Sequence, residues 1–262
     1  MSQNIQLDSD ARGVATVTLN RAEKHNAFDD QIILELTELF VQLDADPTIR
    51  VVILAAAGKS FSAGADLAWM QRMASYTESE NLADAKALAT MLHRLNSLSK
   101  PTIAKVQGAA FGGAVGLVSC CDMAIASEHA SFCLSEVKIG LLPATIAPYV
   151  IQAIGQRAAR RYFLTAERFS ASTATQLGLV SSTVSADQLD AHVEQLVETL
   201  LANSPAALAA SKCLIDEVSN RSIDDALMNN TSARIAAIRV SPEGQEGLTA
   251  FLEKRSPNWL PK

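Results

Sequence analysis

Residues 108–122, GAAFGGAVGLVSCCD, place four glycines within nine positions and run straight on into an apolar stretch. Before them, TIAKVQG (102–108) reads as a strand, and after the glycines the pattern is helical. The same order occurs earlier. RVVILAA (50–56) is a continuous apolar run suited to a strand buried on both faces, and it leads through GKSFSAGAD (58–66) into a helix starting near Asp66. A chain that twice passes from buried strand through a glycine loop into a helix belongs to the α/β class. Glycine removes the Cβ that would hold a ligand or another segment away, so both loops predict a close approach. Each loop also presents backbone N–H groups at a helix start, where four donors lack partners and the macrodipole adds about half a positive charge. Two such ends facing each other would form an oxyanion hole.

The flanking segments extend the pattern. NIQL and GVATVTLN alternate apolar and polar residues across DSDAR, which predicts a hairpin. Ile32 or Ile33, then Leu36, Leu39, Phe40 and Leu43, recur at helical spacing behind the N-cap candidates Asp29 and Asp30. Thr77 and Glu80 form a capping-box pattern that opens a helix ending before Pro101, and DMAIAS reads as a further short strand. Beyond Pro143 the pattern turns helical, over about 145–166, 187–203, 205–218, 222–237 and 243–253. The composition change at ANSPAALAA divides the chain into a core, 1–200, and a helical region, 201–262.

Charge and cysteine usage narrow the function. With 22 Lys and Arg against 28 Asp and Glu, the net charge is −6, and the absence of long basic runs argues against a nucleic-acid partner. Cys120, Cys121, Cys133 and Cys213 form no C-x-x-C or metal-ligand cluster and read as reduced, buried thiols. The N-terminus has no apolar signal core, and no apolar stretch reaches the roughly 18 residues of a membrane span. A cytoplasmic protein is expected.

Several chemical motifs are not met. Gly58-Lys59-Ser60 resembles the end of a phosphate loop, yet Ile53 stands where its first glycine is required; Phe111 likewise replaces the first glycine of a dinucleotide fingerprint. His25, His93, His129 and His192 are scattered without triad or metal spacing, and no metal site is expected. Among carboxylates, Glu136 in FCLSEVKIGLLP has apolar neighbours on both sides. It reads either as a buried acid whose raised pKa allows proton exchange near neutrality, or as a helix-capping or ion-paired residue.

Four segments together resemble the crotonase, or enoyl-CoA hydratase/isomerase, superfamily: LNRAEKHNAF, SFSAGADL, GAAFGGAVGLVSCCDMAIAS and FLEKRSPNW. The resemblance implies an α/β spiral of ββα units, with 1–200 as the acyl-CoA-binding core and 201–262 as a helical trimerisation region. It implies a homo-oligomer, trimer or dimer of trimers, and an acyl-CoA substrate whose coenzyme A is no separate cofactor. Carried over by position, the amides of Ala65 and Gly113 polarise the thioester carbonyl, and Glu136 exchanges a proton with Cα. Ala63, Asp66, Leu67 and Gly112 fall in the two loops; Lys24, His25 and Ala27 fall in the adenosine-binding turn. Phe251 and Lys254 match residues that reach the coenzyme A of a neighbouring subunit, although Lys254 also reads as a solvated charge.

One departure stands out. Hydratases of the family carry a second glutamate at the position of Gly116, whereas single-glutamate members include isomerases. AGADLAWM, GGAVGLVSCCD and FCLSEVKIGLLPATIAPYV resemble most the bacterial methylglutaconyl-CoA hydratase branch, tied to leucine breakdown. On that resemblance Gly116 is expected to leave room for a branched acyl group; Arg72 reads as a solvent-facing residue first and as a partner for a substrate carboxylate second, and Ser135, Thr145 and Tyr149 read equally as candidates to hold the water or as structural hydroxyls. Hydration of 3-methylglutaconyl-CoA is the expected activity. Double-bond isomerisation and non-catalytic CoA or RNA binding are the alternatives.

Overall fold

The computed structural model describes residues 3–260. Ile5–Ser9 (β1) and Val14–Leu19 (β2) form the expected antiparallel hairpin. Asp29 caps Asp30–Ala45 (α1), accepting the Ile32 N–H, and this helix buries Leu36, Leu39, Phe40 and Leu43 as their spacing predicts, together with both Ile32 and Ile33.

Three successive units follow, each sending one strand to a large sheet, the next to a small one, and then a helix across. The first is Val51–Ala56 (β3), Ser60–Ser62 (β4), Leu67–Met73 (α2) and Glu78–Asn96 (α3). The second is Thr102–Val106 (β5), Ala109–Phe111 (β6) and Gly113–Cys120 (α4). The third is Met123–Ser127 (β7), Ser131–Cys133 (β8), a 3-10 turn at Glu136–Ile139 and Ala147–Thr165 (α5). Phe169–Ser170 (β9), Ala171–Leu177 (α6) and Ser182–Val184 (β10) complete the core. The large sheet runs β1-β2-β3-β5-β7-β10 and the small one β4-β6-β8-β9. This is the ββα spiral that the resemblance implied.

Both faces of β3 are buried, as its unbroken apolar run predicts. Val52 and Leu54 pack into the main core with α1 and α3, while Val51, Ile53 and Ala55 face Leu189, Val193 and Val197 of Leu189–Leu201 (α7). The small sheet departs from the sequence reading: GAAFGG was expected to be all turn, yet Ala109–Phe111 is a strand. Strands of two or three residues are too short to display a period of two. The helix expected over 145–166 is broken at Gly155, whose φ is 75°.

Pro205–Val218 (α8), Asp225–Arg239 (α9) and Pro242–Glu253 (α10) form the helical C-terminal region, and the division proposed at 200/201 falls at the end of α7. This region leaves Ile215, Phe251 and Leu252 exposed on its helices, and Ile223 and Val240 exposed between them. Among the described residues no helix is long and apolar enough to cross a membrane. Cys120, Cys121 and Cys133 are buried free thiols as expected, whereas Cys213, on α8 with few neighbours over it, is exposed.

Candidate active site

The first loop is shaped by pairing with the turn before α1. The Ala63 N–H donates to the His25 carbonyl, the Phe28 N–H to the Gly64 carbonyl and the Asp66 N–H to the Phe28 carbonyl, each at 2.9 Å. Phe28 and Ala65 are thus partners in an isolated parallel bridge. In such a bridge the bonds run to the residues on either side of Ala65, so its own N–H points away from Phe28. Among the described residues no acceptor pairs with that N–H.

The second loop turns on Gly112, whose φ of 54° and ψ of −125° suit glycine alone and whose N–H is anchored to the Cys133 carbonyl at 2.8 Å. Gly113 is then the first residue of α4, with its N–H at the positive end of the helix and without a protein acceptor among the described residues. The two loops touch: a Cβ on Gly64 would lie 2.8 Å from the Phe111 carbonyl oxygen and 3.8 Å from the Gly113 nitrogen. Two unpaired donors therefore emerge from adjoining turns.

Glu136 joins them from the end of β8. Its Oε1 lies 3.3 Å from where a Cβ on Gly112 would stand, and its Oε2 is buried without a hydrogen-bond partner. Burial pushes its pKa above the ordinary glutamate value, opposed only by a hydrogen bond from its own backbone. It enters no ion pair among the described residues and its 3-10 turn has no side-chain cap, so the buried-acid reading holds and the capping or ion-paired reading does not. An acid whose pKa is raised by burial, beside two free amides, can move a proton at the carbon next to a carbonyl while that carbonyl takes up negative charge.

Residues 9–262 match the family model described as enoyl-CoA hydratase/isomerase. The chain belongs to the enoyl-CoA hydratase/isomerase family. The crotonyl-CoA hydratase of Syntrophomonas wolfei is 31% identical to it over 263 residues, covering 99% of each chain. The mevalonyl-coenzyme A hydratase of Aspergillus fumigatus is 33% identical over 251 residues, covering 95% of this chain and 92% of that protein. An enoyl-CoA hydratase structure from Shewanella pealeana superposes with a TM-score of 0.95 at 50% identity, covering 98% of this chain and 96% of that one.

Within this family member the predicted site residues separate into two groups. Lys24, His25, Ala27, Ala63, Ala65, Asp66, Gly112, Gly113 and Glu136 lie on adjoining turns, with Leu67 exposed at the start of α2. Phe251 and Lys254 lie apart, exposed at the end of α10, which packs on α8 and α9. The Asp66 carboxylate is fully occupied: Oδ1 accepts the Ala68 and Trp69 N–H groups, and Oδ2 meets Arg21 at 3.0 Å and Lys24 at 3.4 Å.

One expectation needs correction. Gly116 leaves no room for a branch, because a Cβ there would fall 2.2 Å from Ile146 Cγ2; the buried Ile146 already fills that space. Arg72 is exposed and paired with the exposed Asp30, in keeping with its solvent-facing reading. Tyr149 is half-buried against the main core, and burial raises its pKa above the ordinary tyrosine value. Ser135 and Thr145 are half-buried. The sequence reading missed Ile146, and it missed the buried Arg21 and Asn26; a lone Arg or Asn in a turn carries no signal of burial.

Proposed function

We propose that this enzyme adds water reversibly across the C2=C3 bond of a 2-enoyl-CoA thioester, and that its acyl group is branched, with 3-methylglutaconyl-CoA giving 3-hydroxy-3-methylglutaryl-CoA. The observation that carries the reading is the unpartnered Oε2 of Glu136 beside the Ala65 and Gly113 amides. The thioester oxygen accepts both N–H groups. As the water oxygen bonds to C3, the Glu136 carboxylate takes a water proton and the π electrons move onto the thioester oxygen. Protonated Glu136 then delivers that proton to C2, and the carbonyl re-forms. One acid serves both transfers, which suits a chain with glycine at 116.

The branch is supported by a relative named for a mevalonyl group, itself methylated at C3, and no longer by free volume at Gly116. Coenzyme A arrives with the substrate, and the steps draw on no metal or redox cofactor. The exposed apolar residues of α8–α10 suit burial between subunits of a trimer or dimer of trimers. The test is loss of the conjugated-enoyl absorbance across straight, branched and carboxylated enoyl-CoA esters. Full activity in Glu136→Gln would remove the acid from the mechanism.

Isomerisation is the second reading, favoured by the hydrocarbon of Ile146 where another carboxylate would have to rise from Gly116. Product mass separates them: hydration adds one water, whereas isomerisation leaves the mass unchanged.

A further inference from the structure

The 21–28 turn buries an arginine that the steps above do not use. Arg21 is 7% exposed. Its Nη2 donates to Asp66 Oδ2 at 3.0 Å, and its Nη1 donates to Asp29 Oδ2 at 3.2 Å and to the Ala27 carbonyl at 3.0 Å. We propose that Arg21 is a positioning residue for the Ala65 amide, its guanidinium locking the 21–28 and 63–66 turns into one rigid piece. The proposal rests on reading Ala65 as a carbonyl-polarising donor.

The main-chain pairing between these turns is a short ladder, and two strands alone are marginal in water. Side chains reinforce it from both sides. Asp66 offers one oxygen to the start of α2 and the other to Arg21, so the residue following Ala65 is anchored to a helix and to the facing turn at once. Asn26, held at φ 53°, accepts the Arg21 N–H and donates to the carbonyls of Ala57 at 2.7 Å and Ser60 at 2.8 Å. The Ala65 N–H shares a peptide plane with the Gly64 carbonyl and the next plane carries the Asp66 N–H; with both planes tied to Phe28, the direction of the Ala65 N–H is fixed. A planar guanidinium supplies several donors in fixed directions, which an ammonium cannot reproduce. Removing it would also leave Asp66 and Asp29 facing an unfilled, partly dry space.

This arrangement joins two functions mechanically. Lys24 and His25 belong to the turn that resembles the adenosine-binding segment, and the His25 carbonyl and Lys24 ammonium bond directly to Ala63 and Asp66 on either side of the donor. The site that would hold the nucleotide end of the substrate and the amide that would hold its thioester therefore move together.

The test uses the full chain with Arg21→Ala and Arg21→Lys. Amide hydrogen exchange at Ala63 and Asp66, measured without ligand, is expected to quicken on the order of tenfold in both variants while amides of β5 keep their protection. Millimolar guanidinium is expected to restore protection to Arg21→Ala. With the best enoyl-CoA substrate, kcat is expected to fall roughly 10²-fold, as for loss of one oxyanion donor, and KM to rise because the 21–28 turn loosens with it. If Arg21→Ala loses β5 protection as well, the milder Arg21→Lys decides. A folded Arg21→Lys with wild-type exchange at Ala63 and Asp66 and wild-type kcat overturns the proposal. Should the wild type turn over no enoyl-CoA, the activity reading fails, and the exchange result still judges the coupling of the two turns.

Discussion

Gly112 and Glu136 occupy one shared space: a Cβ on the glycine would stand 3.3 Å from Oε1 of the acid. The carboxylate is thereby seated against the turn that opens α4, and its other oxygen is left buried without a partner. Glu136→Gln keeps the shape and removes the proton exchange. Hydration is expected to fall by about 10²- to 10⁴-fold, read from enoyl absorbance, with the protein still folded.

The same substitution makes a stability prediction. Burial raises the folded-state pKa of Glu136 above 4.5, its ordinary value. The unfolded chain therefore ionises first, and the folded state loses stability as pH rises from the unfolded pKa through the folded one. Glu136→Gln escapes that loss. Its melting temperature is expected to match the wild type below pH 4.5 and to exceed it at neutral pH; a constant difference at all pH values would contradict the burial of the charge.

Activity should follow the same group. In the proposed direction the carboxylate form takes the water proton, so the rate rises with pH and levels off once Glu136 is ionised. The midpoint of the acid limb is expected above 4.5, the ordinary glutamate value, measured as kcat/KM against pH.

Gly112→Ala attacks the second donor through the backbone. At φ 54° and ψ −125° an alanine carries strain of about 1–3 kcal/mol, and relief would swing the Gly113 N–H off its aim. A kcat loss of ~10²- to 10³-fold, as for deletion of one oxyanion donor, is the expected result.

What the sequence revealed of this site follows the physics of pattern length. The α1 face, the capping box at Thr77 and Glu80, and the doubly buried β3 were all legible, because each spans enough residues to show a period or a cap. The second sheet was not, since SFS, AAF and SFC carry three residues each. Glu136 stood out because a lone acid among apolar residues marks burial. Arg21 and Ile146 did not, because their partners Asp66 and Gly116 lie 45 and 30 positions away and only the folded chain brings them together. The glycines of residues 108–116 were rightly read as close approaches, but each meets something different: the Lys59 carbonyl at Gly108, Glu136 at Gly112, the Phe28 ring at Gly113 and Ile146 at Gly116.

The last of those contacts can be tested alone. In Gly116→Glu the new Cβ would meet Ile146 Cγ2 at 2.2 Å and Cβ at 2.8 Å, next to the backbone, where the side chain cannot swing aside. Overpacking of this kind costs about 1–3 kcal/mol. Urea unfolding is expected to show that loss in Gly116→Glu, without any gain in hydration rate. Ile146→Ala opens a cavity and is expected to destabilise by about 2–5 kcal/mol on its own. Combined, the two changes relieve one another, so the double variant should be more stable than the sum of the singles predicts, by about 0.5–3 kcal/mol. Strict additivity would mean that Ile146 does not close the space beside Gly116, and the reading of a one-acid site walled by hydrocarbon would lose its footing.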